Sequence, residues 1–338
     1  METDKYAHRD RIAQLYAMSR CGNQDAYSEL EHLASSILPM SSEHALIVRG
    51  YLGDLLMRCR TQLVPLNERR AKLLLSEFSE LSHDDEDTVT CPHLQHLLAM
   101  YYMHCCSDKE TEMVTLCEKA AAQGNVISQT AMGFFYSCGS GIRQNTKKSF
   151  AMYMLAASKG YAVAQFYVAV CYRGCEGFDE NLIEAVVWLR KAAEQGHAEA
   201  LYTLGICYRF AHGVDTDFSE AVRYFELAME QGVAAALLRL GWCYSSGRGV
   251  TKDVQKAFQL WLLSANQADK NAAEQVGLAY EYGRGVDVNI VEAMRYYRLA
   301  AAGGGDVPAI VTRAAAKILA LKDAYKEEVS KWSFVHYE

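Results

Sequence analysis

The residues best able to do chemistry in this chain lie between positions 91 and 106. Cys91, His93 and His96, with His104, Cys105 and Cys106 further on, are types that bind zinc. His93 and His96, at i and i+3, can share one helix face. The spacing does not define four convergent ligands, and a polar helix face with buried cysteines accounts for the same residues, so no metal site is assigned. The turns Gly139, Ser140, Gly141 and Gly247, Arg248, Gly249 lack the Lys-Ser/Thr of a phosphate loop and follow no strand. Cys138 and Cys175 have no histidine fixed beside them in sequence to act as the base a thiol nucleophile requires. The first 90 residues hold no glycine-rich loop and no paired catalytic carboxylates. No catalytic residue and no cofactor are assigned, and the chain reads as a non-enzyme.

Composition narrows the remaining choices. The 338 residues are 51% hydrophobic and 22% charged, enough to build a sizeable core. Only four prolines in that length point to helix. A formal charge of -7 argues against a nucleic-acid partner, which calls for a basic surface. Apolar runs fall short of the roughly 20 residues of a membrane span, so no membrane insertion is expected. The charged first ten residues lack the apolar core of a Sec-type signal peptide. Of eleven cysteines, Cys171, Cys207 and Cys243 recur at one repeat position. Stacked helices stand about 8–10 Å apart, too far for a disulfide. These thiols read as small buried hydrophobes of a reducing, cytoplasmic compartment, which leaves open delivery into a host cell by a route other than Sec.

The elements that must position any site are repeats. Stretches opening at Gly124, Gly160, Gly196, Gly232 and Ala268 are copies at a strict period of 36 residues. The tenth residue is small (Gly133, Ala169, Gly205, Gly241, Gly277), which predicts a helix passing close by. Three places on stands a tyrosine: Tyr136, Tyr172, Tyr208, Tyr244 or Tyr280. A Gly-x-Gly-like turn follows, its second glycine invariant (Gly141, Gly177, Gly213, Gly249, Gly285), as a positive φ demands. Then an Asx residue (Asn145, Asn181, Asp217, Asp253, Asn289) caps a second helix, and Glu184, Glu220 and Glu292 predict capping boxes. That helix carries Ser149, Ala185, Ala221, Ala257 or Ala293, then a large residue (Tyr153, Trp188, Phe225, Trp261, Tyr297), then Ala156, Ala192, Ala228, Ser264 or Ala300. Each unit is thus helix, glycine turn, antiparallel helix. None buries its apolar stripe alone, so the units stack.

The rest of the chain flanks this array. Helical periodicity over 3–18, 23–38, 42–60 and 67–81 predicts an N-terminal helical region of degenerate pairs, 1–87. Residues 83–87 read as an acidic loop, and 88–123 as a truncated repeat without its glycine turn. Five full repeats occupy 124–303, and 304–338 hold a C-terminal capping helix and tail with a polar exterior that includes Lys317.

The pattern small-Leu-Gly-x-x-Tyr, Gly-x-Gly-Val, Asx cap and Lys-Ala-Ala-x-x-Gly resembles the Sel1-like repeat family. Its best match runs from Ala198 through Leu204 and Gly205 to Tyr208, with Lys191 to Gly196 just before it. The resemblance implies an all-α fold, a right-handed α/α superhelical solenoid related to tetratricopeptide arrays. It also implies use as an adaptor or scaffold, in host-interaction or regulatory settings. The paired-cysteine spacing of disulfide-bonded secreted members is absent here.

In arrays of this kind the first helix of each unit lines the concave face. Its outward positions lie three, six, ten and thirteen places after the opening residue. These positions vary between copies, and the candidate protein-binding residues among them are Phe134, Phe166, Arg173, Tyr202, Arg209, Leu238 and Trp242. Aromatics beside arginine are the usual make-up of binding hot spots. The expected partner is a protein or peptide with an acidic group, and the chain itself is expected to be a monomer or weak dimer. The alternatives are a regulatory subunit or inhibitor of an enzyme complex, and a structural solenoid that self-associates.

Overall fold

A computed structural model describes residues 15, 28–30, 32, 92–105, 109–174, 179–301 and 316–320. All regular structure among the described residues is helical. The helices are α1 (Pro92–Cys105), α2 (Glu110–Ala122), α3 (Val126–Cys138), α4 (Thr146–Ser158), α5 (Ala162–Tyr172), α6 (Leu182–Glu194), α7 (Ala198–Phe210), α8 (Phe218–Glu230), α9 (Ala234–Ser246), α10 (Val254–Asn266), α11 (Lys270–Tyr282) and α12 (Ile290–Ala301). Most of the 1–87 region, the acidic loop and all of 304–338 except residues 316–320 lie outside the described residues. The chain divides into two compact units, residues 1–204 with 212–214, and residues 205–211 with 215–338. In the first, α1 to α6 pack each on the next; in the second, α8 to α12 do the same.

One device closes every full repeat. The side chains of Asn145, Asn181, Asp217, Asp253 and Asn289 accept from the backbone N–H three residues on, at 2.9–3.1 Å. The backbone N–H of the same five residues donates to the carbonyls of Tyr136, Tyr172, Tyr208, Tyr244 and Tyr280, at 2.7–3.0 Å. This second bond corrects the capping-box expectation. The cap N–H that Glu220 and Glu292 were to satisfy is already bonded, so their carboxylates turn to Arg223 and Arg295 instead.

The invariant second glycine has two reasons to be glycine. Gly213, Gly249 and Gly285 have φ near +75°, and a Cβ on any of them would run into the carbonyl of Leu182, Phe218 or Val254, in the second helix of the preceding repeat. The opening glycines are looser: a Cβ on Gly160, Gly196 or Gly232 would meet nothing within 4 Å. Ala268 therefore fits that place, at a φ of 64°.

The core explains the small tenth residue. A Cβ on Gly133, Gly205 or Gly277 would stand 2.5–2.6 Å from the ring of Tyr153, Phe225 or Tyr297, and one on Gly241 would overlap Trp261. In the repeat opening at Gly160, the large residue at this place is Leu189, fully buried opposite Ala169, and not Trp188. Trp188 sits one position off the stripe, its ring under the Lys191 ammonium at 4.0 Å. The stripe thus runs glycine against aromatic and alanine against leucine. Burial pushes the hydroxyl pKa of Tyr153 and Tyr297 up.

The truncated repeat keeps the same register. Gln195 donates to Gln165 at 2.8 Å, and Gln123 donates to Gln95 at 2.9 Å. Gln165 is five places after Gly160, so Gln95 sets the opening of the earlier unit at position 90. Buried Ala99 and Tyr102 are then its tenth and thirteenth residues, and Ala99 shares a core cluster with Cys117.

Candidate interaction site

Successive first helices α1, α3 and α5 wall a cavity of about 130 Å³ in the first unit. Helix α1 contributes His96, Met100 and Met103; α3 contributes Ile127, Thr130, Ala131, Phe134 and Phe135; α5 contributes Val163 and Tyr167. The wall is set by packing already described. Phe135 and Met100 are core residues, and Tyr167 stacks on Tyr153 at 4.9 Å. Two polar groups in the wall are tied back: Ser128 Oγ lies 3.1 Å from His96 Nδ1, and Thr130 Oγ1 donates to the Val126 carbonyl. Phe134 is 48% exposed. An apolar concavity with an exposed aromatic beside it has the chemistry of a socket for a partner's side chain.

The seven candidate residues fall into different environments. Phe134 lines the cavity. Phe166 is half-buried and lies against the His197 ring at 4.9 Å, while His197 Nδ1 accepts from the Ala200 N–H and so caps α7. Arg173 caps the C-terminal end of α5, and Tyr202 is half-buried in α7. In the second unit, Arg209 is half-buried with its guanidinium 5.1 Å from the Phe210 ring. Trp242 is 38% exposed and meets Trp261 edge-on at 5.7 Å.

Leu238 departs from expectation. It is 7% exposed and belongs to the core cluster with Trp261, Ala273 and Val276. Ile127, Thr130 and Val163 are buried as well. Places three and six after the opening residue are thus closed in some repeats and partly open in others, as at Phe166 and Tyr202, whereas place ten is open at Phe134 and Trp242. Helical period alone could not separate these, because all four places share one face.

His96, Met100, Met103 and Tyr167 were not singled out as groove residues from sequence. With the unit opening at position 90, the first three occupy places six, ten and thirteen. The shortened repeat hid that register. Among the described residues no three His, Cys, Asp or Glu side chains gather as a metal site. Cys117, Cys171, Cys207 and Cys243 are buried thiols, with the Cys243 pKa pushed up by burial, and Cys138 is exposed. Among the described residues no helix is long and apolar enough to cross a membrane.

Helix pairs stacked in sequence order, with varied side chains on their first helices, define an all-α repeat protein of the solenoid class. The Sel1 repeat model matches residues 126–161, 162–197, 198–233, 234–269 and 271–305, and the chain belongs to the Sel1 repeat family. Among solved structures it is similar to a Sel1 repeat protein from Oxalobacter formigenes, with 30% identity and a TM-score of 0.59, over 62% of this chain and 83% of that one. It is also similar in fold to c5321, a protective antigen of uropathogenic Escherichia coli strains displaying an SLR fold. That match has 22% identity and a TM-score of 0.63, over 93% of this chain and 67% of that one. No curated protein matches the chain. Sel1 repeats generally mediate protein–protein interactions and are typically not catalytic.

Proposed function

We propose that this chain is a non-enzymatic adaptor that holds a partner protein or peptide on the first helices of its repeats. The observation that carries this reading is the cavity between α1, α3 and α5, with Phe134 exposed beside it. The tyrosine of the first helix and the second turn glycine are the same in every copy, whereas the residues around the cavity differ from copy to copy. In the second unit, Trp242 and Arg209 supply aromatic and cationic surface of the same kind. Affinity would come from a few desolvated anchors on a pre-formed surface. Selection of a random peptide display library on the full chain tests it. Selected peptides fitted with a photo-crosslinker are expected to label first-helix residues such as Phe134 and Arg173. Labelling confined to second helices overturns the reading.

A further inference from the structure

The cavity has the size of one side chain and one charged neighbour. An apolar cavity of about 150 Å³ takes a benzene-sized guest, so about 130 Å³ suits a single phenyl or isobutyl group. The groove positions of α1, α3 and α5 hold His93, His96, Met100, Met103, Phe134, Phe166 and Arg173, and otherwise small or aliphatic residues. His96 is engaged with Ser128, which leaves Arg173 as the one permanently charged side chain at these places. Among the described residues no carboxylate pairs with Arg173. Arg173 lies six residues beyond Tyr167, about 9 Å along the helix axis. Helical side chains lean toward the N-terminus, which shortens the reach to the cavity.

We infer that the cavity is a socket for one bulky apolar side chain of a peptide partner, and that Arg173 selects an acidic residue one to two helical turns from that anchor. The inference rests on the adaptor reading and narrows it to a ligand class. Met100 and Met103 give the socket an adaptable wall that accepts aromatic or aliphatic anchors. An arginine on an acid near a desolvated apolar contact gives both affinity and discrimination against a basic residue.

The probes are two fluorescein-labelled, alanine-rich helical peptides with one central Phe. One bears Glu one and two turns to either side of it, and the other bears Lys at the same places. Their affinities are measured by anisotropy on the full chain, on Arg173→Glu and on Ala131→Phe, which fills the socket. Thermal melts establish that each variant is folded, and ¹³C-methyl methionine spectra report on Met100 and Met103. The Glu peptide is expected to bind at least about tenfold more tightly than the Lys peptide. That preference should invert in Arg173→Glu, binding should be lost in Ala131→Phe, and the Met100 and Met103 methyl signals should shift on binding. Binding that survives Ala131→Phe but is lost in Arg173→Glu overturns the socket and leaves the adaptor reading standing. Equal affinity for both peptides on the unsubstituted chain overturns the acidic selection. If neither peptide binds while library-selected peptides crosslink elsewhere on the first helices, the socket falls and the adaptor reading survives. If neither peptide binds and library-selected peptides label only second helices, both fall.

Discussion

Gly205 and Phe225 pack so closely that a Cβ on the glycine would stand 2.5 Å from the ring's Cε1. Carbon contacts settle at about 3.5–4.0 Å, so the pair is coupled: the ring can be large only because the facing residue has no side chain. The repeat opening at Gly160 solves the same problem with Ala169 and Leu189, both fully buried. Gly205→Ala alone is expected to destabilise the protein by about 2 kcal/mol through overpacking. Adding Phe225→Leu should recover at least about 1 kcal/mol, a coupling within the range for residues in contact. Urea denaturation of the two single variants and the double variant measures it. Additive losses would show the pair to be independent.

The turns rank their glycines by what surrounds them. At Gly232 an added methyl meets open space, so Gly232→Ala costs only left-handed backbone strain, about 1–2 kcal/mol. At Gly249 the methyl also collides with the Phe218 carbonyl, so Gly249→Ala should cost at least about 3 kcal/mol. Conversely, Ala268 and Ala211 hold φ of 64° and 58°, and replacing either with glycine should stabilise by about 0.5–1 kcal/mol. Melting temperatures of the four variants give the order directly.

Acid should weaken the C-terminal end of the second unit. Burial pushes the Glu281 carboxyl pKa up, but hydrogen bonds from Tyr297, Tyr282 and Lys317 outweigh it and hold the pKa below the usual range. Lys317, one repeat period beyond Glu281, lies 3.2 Å from it. A carboxyl with a depressed folded pKa contributes its full stability above its unfolded value, about 4.3, and loses it as pH falls through the lower folded value. Glu281→Gln should therefore lower the melting temperature at pH 6 but leave a shallower loss below pH about 4. Parallel melting curves for the two proteins would contradict the assignment.

Among the described free cysteines, thiol labelling should separate one from four. Cys138 is exposed, whereas Cys117, Cys171, Cys207 and Cys243 are buried. Brief alkylation of the folded protein followed by peptide mass mapping is expected to modify Cys138 and to spare the other four until denaturant is added.

The repeat unit was legible in the sequence because its rules are local. Period, Asx caps and turn glycines each follow from one residue type in one place, as at Asn145 and Gly141. What could not be read was where neighbouring repeats close over the shared face. Leu238 and Phe134 sit on the same helical stripe, yet one is core and the other half exposed. Burial there depends on the next helix and not on the residue's own repeat. The capping boxes failed for a related reason, because the Tyr carbonyl that takes the cap N–H lies nine residues back in the chain. The socket residues His96, Met100 and Met103 were hidden by a repeat of altered length, and only the paired glutamines fix its register.

Whether the first helices hold the partner is decided by the affinity of one library-selected peptide for three proteins: unsubstituted, Phe134→Ala and Ile183→Ala. Ile183 is the more exposed, at 68% against 48%, but lies on the second helix α6. Phe134→Ala is expected to weaken binding at least about tenfold, as loss of a hot-spot aromatic does, and Ile183→Ala to leave it unchanged. Binding weakened by Ile183→Ala and untouched by Phe134→Ala would contradict a partner held on the first helices.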